Sequence, residues 1–142
     1  MLTVIEKVIV LQNVDIFADV PTEQLSSLAA IAKEVAFSKD EVIFRVDDPS
    51  DSLYVVLDGK IRLHQNEQEI SLAGANDVFG TWALFDNEPR VVTATVVEDA
   101  RLLYIDHDDF IELISDNIRI TQGIFKRLVG KLRGLAEHVA RK

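Results

Sequence analysis

Between residues 36 and 105 the sequence passes through the β-rich stretches EVIFRV, SLYVVL, KIRLH, EISLA, VVTATVV and ARLLYI. Turn formers separate them: DDPSD, DG, QNEQ, AGAND and ED. Many short strands at this spacing predict a sandwich, jelly roll or barrel, and a parallel α/β sheet would contradict the pattern. Asp58-Gly59, between VVL and KIRL, predicts a two-residue hairpin. Period-two alternation assigns Val42, Phe44, Leu53, Val55, Leu57, Ile61, Leu63, Val96, Leu103 and Ile105 to the core.

Helical periodicity flanks this region. Residues 1 to about 35 place Val4, Val8 and Leu11 on one face, then Leu25, Leu28, Ala29, Ala32 and Val35 on a second stripe. Pro21-Thr22 opens the second helix, with Glu23 in the first turn, where the dipole favours an acid. Asp106 is an N-cap for DDFIELI, and a longer helix starts near Asn117. In it Thr121, Phe125, Leu128, Leu132, Leu135 and Val139 alternate spacings of four and three, as in a coiled-coil seam. Ile120 and Ile124 lie beside its first turns and are expected to pack on the strands. The seam fits either a single helix lying on its own domain or a homodimer contact through residues 117–140. Gly123, Gly130 and Gly134 each cost a helix about 1 kcal/mol relative to Ala, so something must pack on it. The expected organisation is one domain, 1–142: N-terminal helices 1–35, a β region 36–105 and C-terminal helices 106–142.

Composition narrows the function classes. A chain of 142 residues with 48% hydrophobic content can bury one continuous core. No run of about 18 apolar residues is present, so no membrane insertion is expected. The start, MLTVIEKVIVL, is interrupted by Glu6 and Lys7 and lacks a cleavage pattern. Cysteine is absent, which excludes disulfides and thiolate chemistry and fits a reducing, cytoplasmic setting. A net charge of −9 argues against nucleic acid as a partner. The charge is uneven: residues 1–116 hold 8 Lys+Arg and 23 Asp+Glu, whereas residues 117–142 hold 7 against Glu137 alone. The basic helix is either a solvated face or docks on an acidic surface, its own or a partner's. His64, His107 and His138 lie in separate elements with no metal-ligand spacing and are read as solvated or strand-face residues. With no nucleophile elbow or phosphate-binding loop either, no catalytic residue, metal or cofactor is expected, and the chain is not read as an enzyme.

The stretch FGTWALFDNEPRVVTATV, residues 79–96, carries the functional signal. A glycine turn entering a short helix presents unpaired N–H groups to an anion, and one fixed arginine adds charge. Taken alone, Arg90 reads as a surface salt bridge to Glu88 or Asp86, and only its place in this cassette favours an anion. Together with VDIFADVPTEQLSSLA, DEVIFRVDDPSDSLYVVLDGKIRL and EDARLLYID, this cassette resembles the cyclic-nucleotide-binding domain family over about residues 10–135. That family includes the sensor modules of catabolite-activator-type regulators, cyclic-nucleotide-dependent kinases and gated channels. The resemblance implies an eight-stranded β-roll flanked by helices, of which a hinged C-terminal helix reports ligand. Residues 136–142 are too few for a DNA-binding domain, so the expectation is a sensor domain without one. It also implies a ligand site formed by Gly80, Thr81, Trp82, Ala83, Arg90, Val91 and Val92, with the amides of Gly80 to Ala83, the Arg90 guanidinium and the Val91 amide on the cyclic phosphate.

Four departures from the family pattern bear on the site. Thr81 stands where the family has a Glu that accepts from the ribose 2′-OH, a loss of about 1.5–3 kcal/mol that a threonine hydroxyl partly recovers. Val91 offers no hydroxyl to a guanine, which favours cAMP over cGMP. Trp82 replaces an aliphatic residue and is read first as core, with crowding of the pocket as the alternative. Asp47, Ser50 and Asn76 replace loop glycines; Asp and Asn tolerate the left-handed backbone. The implied function is a regulatory domain sensing a cAMP-like ligand at reduced affinity. The alternative is a degenerate interaction module of the same fold that binds no nucleotide, part of a longer protein.

Overall fold

Thr3 closes the first turn of the chain. Its hydroxyl accepts from the Glu6 amide while the Glu6 carboxylate accepts from the Thr3 amide, so two orphan donors of the helix start are satisfied together. The computed structural model describes residues 1–86 and 88–141. α1 spans Val4–Leu11, a 3-10 turn spans Asp15–Phe17, and α2 spans Thr22–Ile31. Pro21 sits just before α2, and Glu23 lies in its first turn as expected.

Six strands follow: β1 Ala32–Phe37, β2 Val42–Phe44, β3 Ser52–Gln65, β4 Gln68–Ala73, β5 Val78–Phe79 and β6 Thr93–Asp106. They form one sheet in the order β1-β6-β3-β4, with β2 also on β6 and β5 on β3, and every pairing is antiparallel. α3 covers His107–Ser115, capped by the Asp106 carboxylate on the amides of Asp108 and Asp109. α4 covers Ile118–Ala140, with Asn117 accepting from the Ile120 amide.

Four expectations give way. The β region begins at Ala32, so Ala32 and Val35 belong to a strand facing Ile105 and Leu102 rather than to the helix of residues 1–35. Asp58-Gly59 is not a hairpin turn. Asp58 pairs with Arg101 and Lys60 with Glu98, so β3 continues through it with shifts of register. Gly59 has φ 94°, and a Cβ there would lie 2.5 Å from the Asp99 carbonyl oxygen. The dipeptide supplies a bulge that bends a long strand. Glu98-Asp99 likewise lies inside β6 rather than in a turn. Two strands of 14 residues each, bent near their middles, do the work of four shorter ones, so the roll has six strands among the described residues rather than eight. The true β3–β4 hairpin turns at Asn66-Glu67, where Asn66 takes φ 52°.

Alternation along these two strands divides the core. Leu53 and Val55 of β3, with Leu103 and Ile105 of β6, face the helices, where they meet Leu11, Phe17, Leu25, Leu28, Phe110, Ile120 and Ile124. Val56, Ile61, Val96 and Leu102 face the interior of the roll with Phe44, Ala73 and Phe79. Both faces of the central strands are buried, which explains why SLYVVL and RLLYI read as nearly continuous apolar runs. Of the expected core, Val42, Leu57 and Leu63 are half-buried and the rest are buried.

Ile120 and Ile124 are buried as anticipated, but α4 packs chiefly on the Asp15–Phe17 turn, α3 and α2 rather than on the strands. Gly123 permits this: a Cβ there would lie 2.7 Å from the Asp19 carbonyl oxygen. Arg127 and Lys131, one turn apart, both reach the Asp15 carboxylate. The basic helix thus docks on an acid of its own chain. On the same helix Phe125, Leu132, Leu135 and Val139 remain exposed.

Candidate functional site

The anion cassette lies where β5 leaves the sheet. Gly80 follows Phe79 in the left-handed region, φ 76° and ψ 19°, and starts a 3-10 turn over Thr81–Leu84 that no side chain caps. The N–H groups of Gly80, Thr81 and Trp82 meet no acceptor among the described residues. The Ala83 N–H does: it donates to the Gly80 carbonyl at 3.1 Å. Ala83 is buried, so the free donors end one residue earlier than expected. The Val91 N–H also meets no acceptor among the described residues.

Arg90 points inward. It is only 5% exposed and lies against Gly80, where a Cβ would stand 2.6 Å from Nη1. Only glycine combines that φ with that approach. Nη2 donates to the Ser52 carbonyl at 2.8 Å and stands 3.5 Å from Asp51 Oδ1. The guanidinium carbon sits 4.1 Å from the centre of the Phe44 ring, a cation–π arrangement. The backbone is held too: Arg90 N–H donates to Asp48 O and Arg90 O accepts from Asp47 N–H, each at 2.8 Å. The guanidinium is therefore oriented before any ligand arrives. Nε is buried and has no partner among the described residues. Burial pulls the Arg90 pKa below its ordinary value, opposed by Tyr54 and Asp51. The salt bridge to Glu88 or Asp86 expected of Arg90 taken alone is not formed among the described residues; Asp51 takes that place.

A cleft of about 820 Å³ opens in front of these groups, a size suited to a small molecule. Phe44, Leu63, Phe79 and Val92 form apolar walls, and Gly80, Thr81, Ala83, Arg90 and Val91 line one end. Gln65 Nε2 donates to the Val91 carbonyl at 2.9 Å and fixes the exit of the cassette. Asp47, Asp86 and Glu88 stand on the rim. The structure thus gathers Gly80, Thr81, Trp82, Ala83, Arg90, Val91 and Val92 at one cleft. Trp82 departs from the core reading: it is 72% exposed at the cleft mouth, because the residue after Thr81 faces outward on a 3-10 turn whose inner side is filled by Ala83 and Leu84. Asp47 and Asn76 take φ 73° as replacements for loop glycines, whereas Ser50 keeps a negative φ.

Phe44, Asp51, Ser52 and Gln65 escaped the sequence reading as site residues. Ser52 is 38 positions from Arg90, and only the pairing of β3 with β5 brings it beside Gly80. His64 lies on β3, as expected of a strand-face residue, and bonds the Thr95 hydroxyl of β6 and the Asn66 carbonyl of the following turn. His107 is half-buried at the start of α3 rather than on a strand face, and its imidazole Nδ1 lies 2.6 Å from the Ala83 carbonyl. Among the described residues no group of side chains could hold a metal ion, and no helix is long and apolar enough to cross a membrane.

Comparison with known proteins agrees with this geometry. The chain is 26% identical over 136 residues to a "CRP-like cAMP-activated global transcriptional regulator" of Mycobacterium tuberculosis, covering 92% of this chain and 61% of the regulator. It is 25% identical over 135 residues to a "cAMP-dependent protein kinase regulatory subunit" of Candida albicans, covering 93% of this chain and 29% of the subunit. It therefore spans less than two thirds of either relative. The solved N-terminal domain of a transcriptional regulator from Streptomyces coelicolor superposes with a TM-score of 0.84 at 27% identity, covering 92% of this chain and 94% of that one. That likeness makes the bent six-stranded sheet and its flanking helices a β-roll of this class. Residues 34–117, more than half the chain, match the family described as the cyclic nucleotide-binding domain, and the chain belongs to that family.

Proposed function

We propose that this domain senses a cyclic nucleotide, with the cyclic phosphate held between the Arg90 guanidinium and the amides of Gly80, Thr81 and Trp82. One observation carries the reading: a guanidinium withdrawn from water beside a left-handed glycine, in a residue that lines a cleft of ligand size. A buried charge without a full set of partners is costly, and an anion is the natural complement. The acidic rim refines the charge. A cyclic phosphodiester carries one negative charge, whereas a phosphomonoester carries nearly two at pH 7. Asp47, Asp86 and Glu88 disfavour the second.

Within this class cAMP is the favoured ligand. Val91 has no hydroxyl for a guanine, and the apolar walls make few demands on the base. Thr81 weakens binding relative to a site with a carboxylate there. The domain acts by ligand-dependent contact rather than catalysis, and exposed Phe125, Leu132, Leu135 and Val139 favour a second copy on α4. That same stripe supports a second reading, a protein-interaction module whose cleft stays empty.

Calorimetry with cAMP, cGMP and AMP on wild type, Thr81→Glu and Arg90→Ala separates the two. Wild type should bind cAMP best, Thr81→Glu should tighten it by up to about 1.5–3 kcal/mol, and Arg90→Ala should remove the heat. No heat from wild type or from Thr81→Glu would leave the interaction module as the function.

A further inference from the structure

On the reading of the cleft as a cyclic-nucleotide site, we infer that the His107 imidazole is the positioning group that fastens the anion cassette to the C-terminal helices. His107 is the first residue of α3 and uses two donors in two directions. Its backbone N–H donates to the Asp51 carbonyl at 2.8 Å. Its Nδ1–H donates to the Ala83 carbonyl at 2.6 Å. Ala83 lies near the end of the cassette's 3-10 turn, where carbonyls lack partners within the turn. Asp51 precedes Ser52, whose carbonyl orients Arg90. One residue at the root of α3 therefore holds both walls of the anion site: the Asp51–Ser52 wall through its backbone, and the cassette wall through its ring.

Among the described residues, the His107–Ala83 bond is the only hydrogen bond joining residues 80–86 to residues 107–141. One aromatic contact runs beside it, Phe85 edge-on to Phe110 with centroids 5.8 Å apart. The cassette cannot move toward an anion without carrying the start of α3 or breaking this bond. α3 runs into α4 through Asp116-Asn117, so displacement at Ala83 reaches Ile120 and Ile124, which anchor α4 in the core.

The test compares wild type, His107→Leu and His107→Asn, whose amide offers a donor near the position of Nδ1, by hydrogen exchange with and without saturating cAMP. In wild type, cAMP should slow exchange in residues 80–86 and change it across residues 107–128. In His107→Leu the change in residues 80–86 should remain and that in residues 107–128 should disappear; His107→Asn should restore it. A bond with a purely local packing role would not produce that split. Persistence of the helix response in His107→Leu overturns the inference. A ligand-free arm stands apart from the cyclic-nucleotide reading: His107→Leu should speed exchange in residues 80–86 and 107–111 about two- to tenfold, and His107→Asn should not. If wild type gives no calorimetric heat with cAMP, the nucleotide reading fails, and this arm alone decides the fastening; unchanged exchange there refutes it.

Discussion

Replacing Arg90 by methionine separates a residue kept for ligand from one kept for folding. The guanidinium makes a charged hydrogen bond to the Ser52 carbonyl at 2.8 Å, worth about 1.5–3 kcal/mol. Its stacking over Phe44 at 4.1 Å adds about 0.5–2 kcal/mol. Asp51, 3.5 Å away with a side chain 72% exposed, adds about 0–1 kcal/mol. Against these stand the desolvation of a nearly buried charge, several kcal/mol, and about 1–3 kcal/mol for an Nε left without a partner. The two sides cancel to within about 2 kcal/mol, and methionine keeps most of the stem packed. The melting temperature of the ligand-free variant should therefore move by less than about 6 °C. Ligand changes the comparison. At a hundredfold excess over Kd, cAMP should stabilise wild type by about 2.7 kcal/mol and the variant not at all. Thermal melts followed by circular dichroism, with and without cAMP, measure both. A fall of more than about 15 °C without ligand would make Arg90 a structural residue and refute the argument. So would ligand stabilisation that survives the substitution.

Gly59→Ala should destabilise the domain by about 2–4 kcal/mol, since its Cβ would meet the Asp99 backbone at 2.5 Å in a left-handed conformation; a chemical melt within about 0.5 kcal/mol of wild type would restore the simple-turn reading. Hydrogen bonds from Lys131 and Arg127 hold the Asp15 carboxyl below its ordinary range. Its folded pKa is thus below the unfolded one, near 3.9, so its stabilisation is present above that value and is lost as pH falls through the folded pKa. The stability gap between wild type and Asp15→Asn should stay level from about pH 7 to 5 and narrow as pH falls below about 3.9, and a gap that widens in acid would contradict this. Leu132→Lys with Leu135→Lys should leave the fold intact and shift any dimer seen by sedimentation to monomer, because both side chains are exposed on α4; an unchanged sedimentation profile of a dimer would exclude this face.

Local patterns determined much of this protein. Apolar alternation marked Leu53, Val55, Ile61, Leu103 and Ile105 as core, and they are buried, because the strand period of two is imposed by backbone geometry alone. Asp106 and Asn117 were readable as helix caps, since capping joins neighbours a few residues apart. Glycine followed ten positions later by arginine drew attention to residues 79–96, and the resemblance to cyclic-nucleotide-binding domains gave that stretch its reading as an anion cassette. Tertiary structure decided the rest. Asp58-Gly59 suits a hairpin turn or a bulge equally well, and the approach of Asp99 and Ala100 selects the bulge. Trp82 has the composition of a core residue, but Leu84 and Ala83 occupy the inner side of the turn and leave it outside. Arg90 depends on Ser52, Asp51 and Phe44, which strand pairing alone brings beside Gly80. The tie from His107 to Ala83 spans 24 residues. Contacts between residues so far apart follow from how sheet and helices close on one another, and no local spacing encodes them.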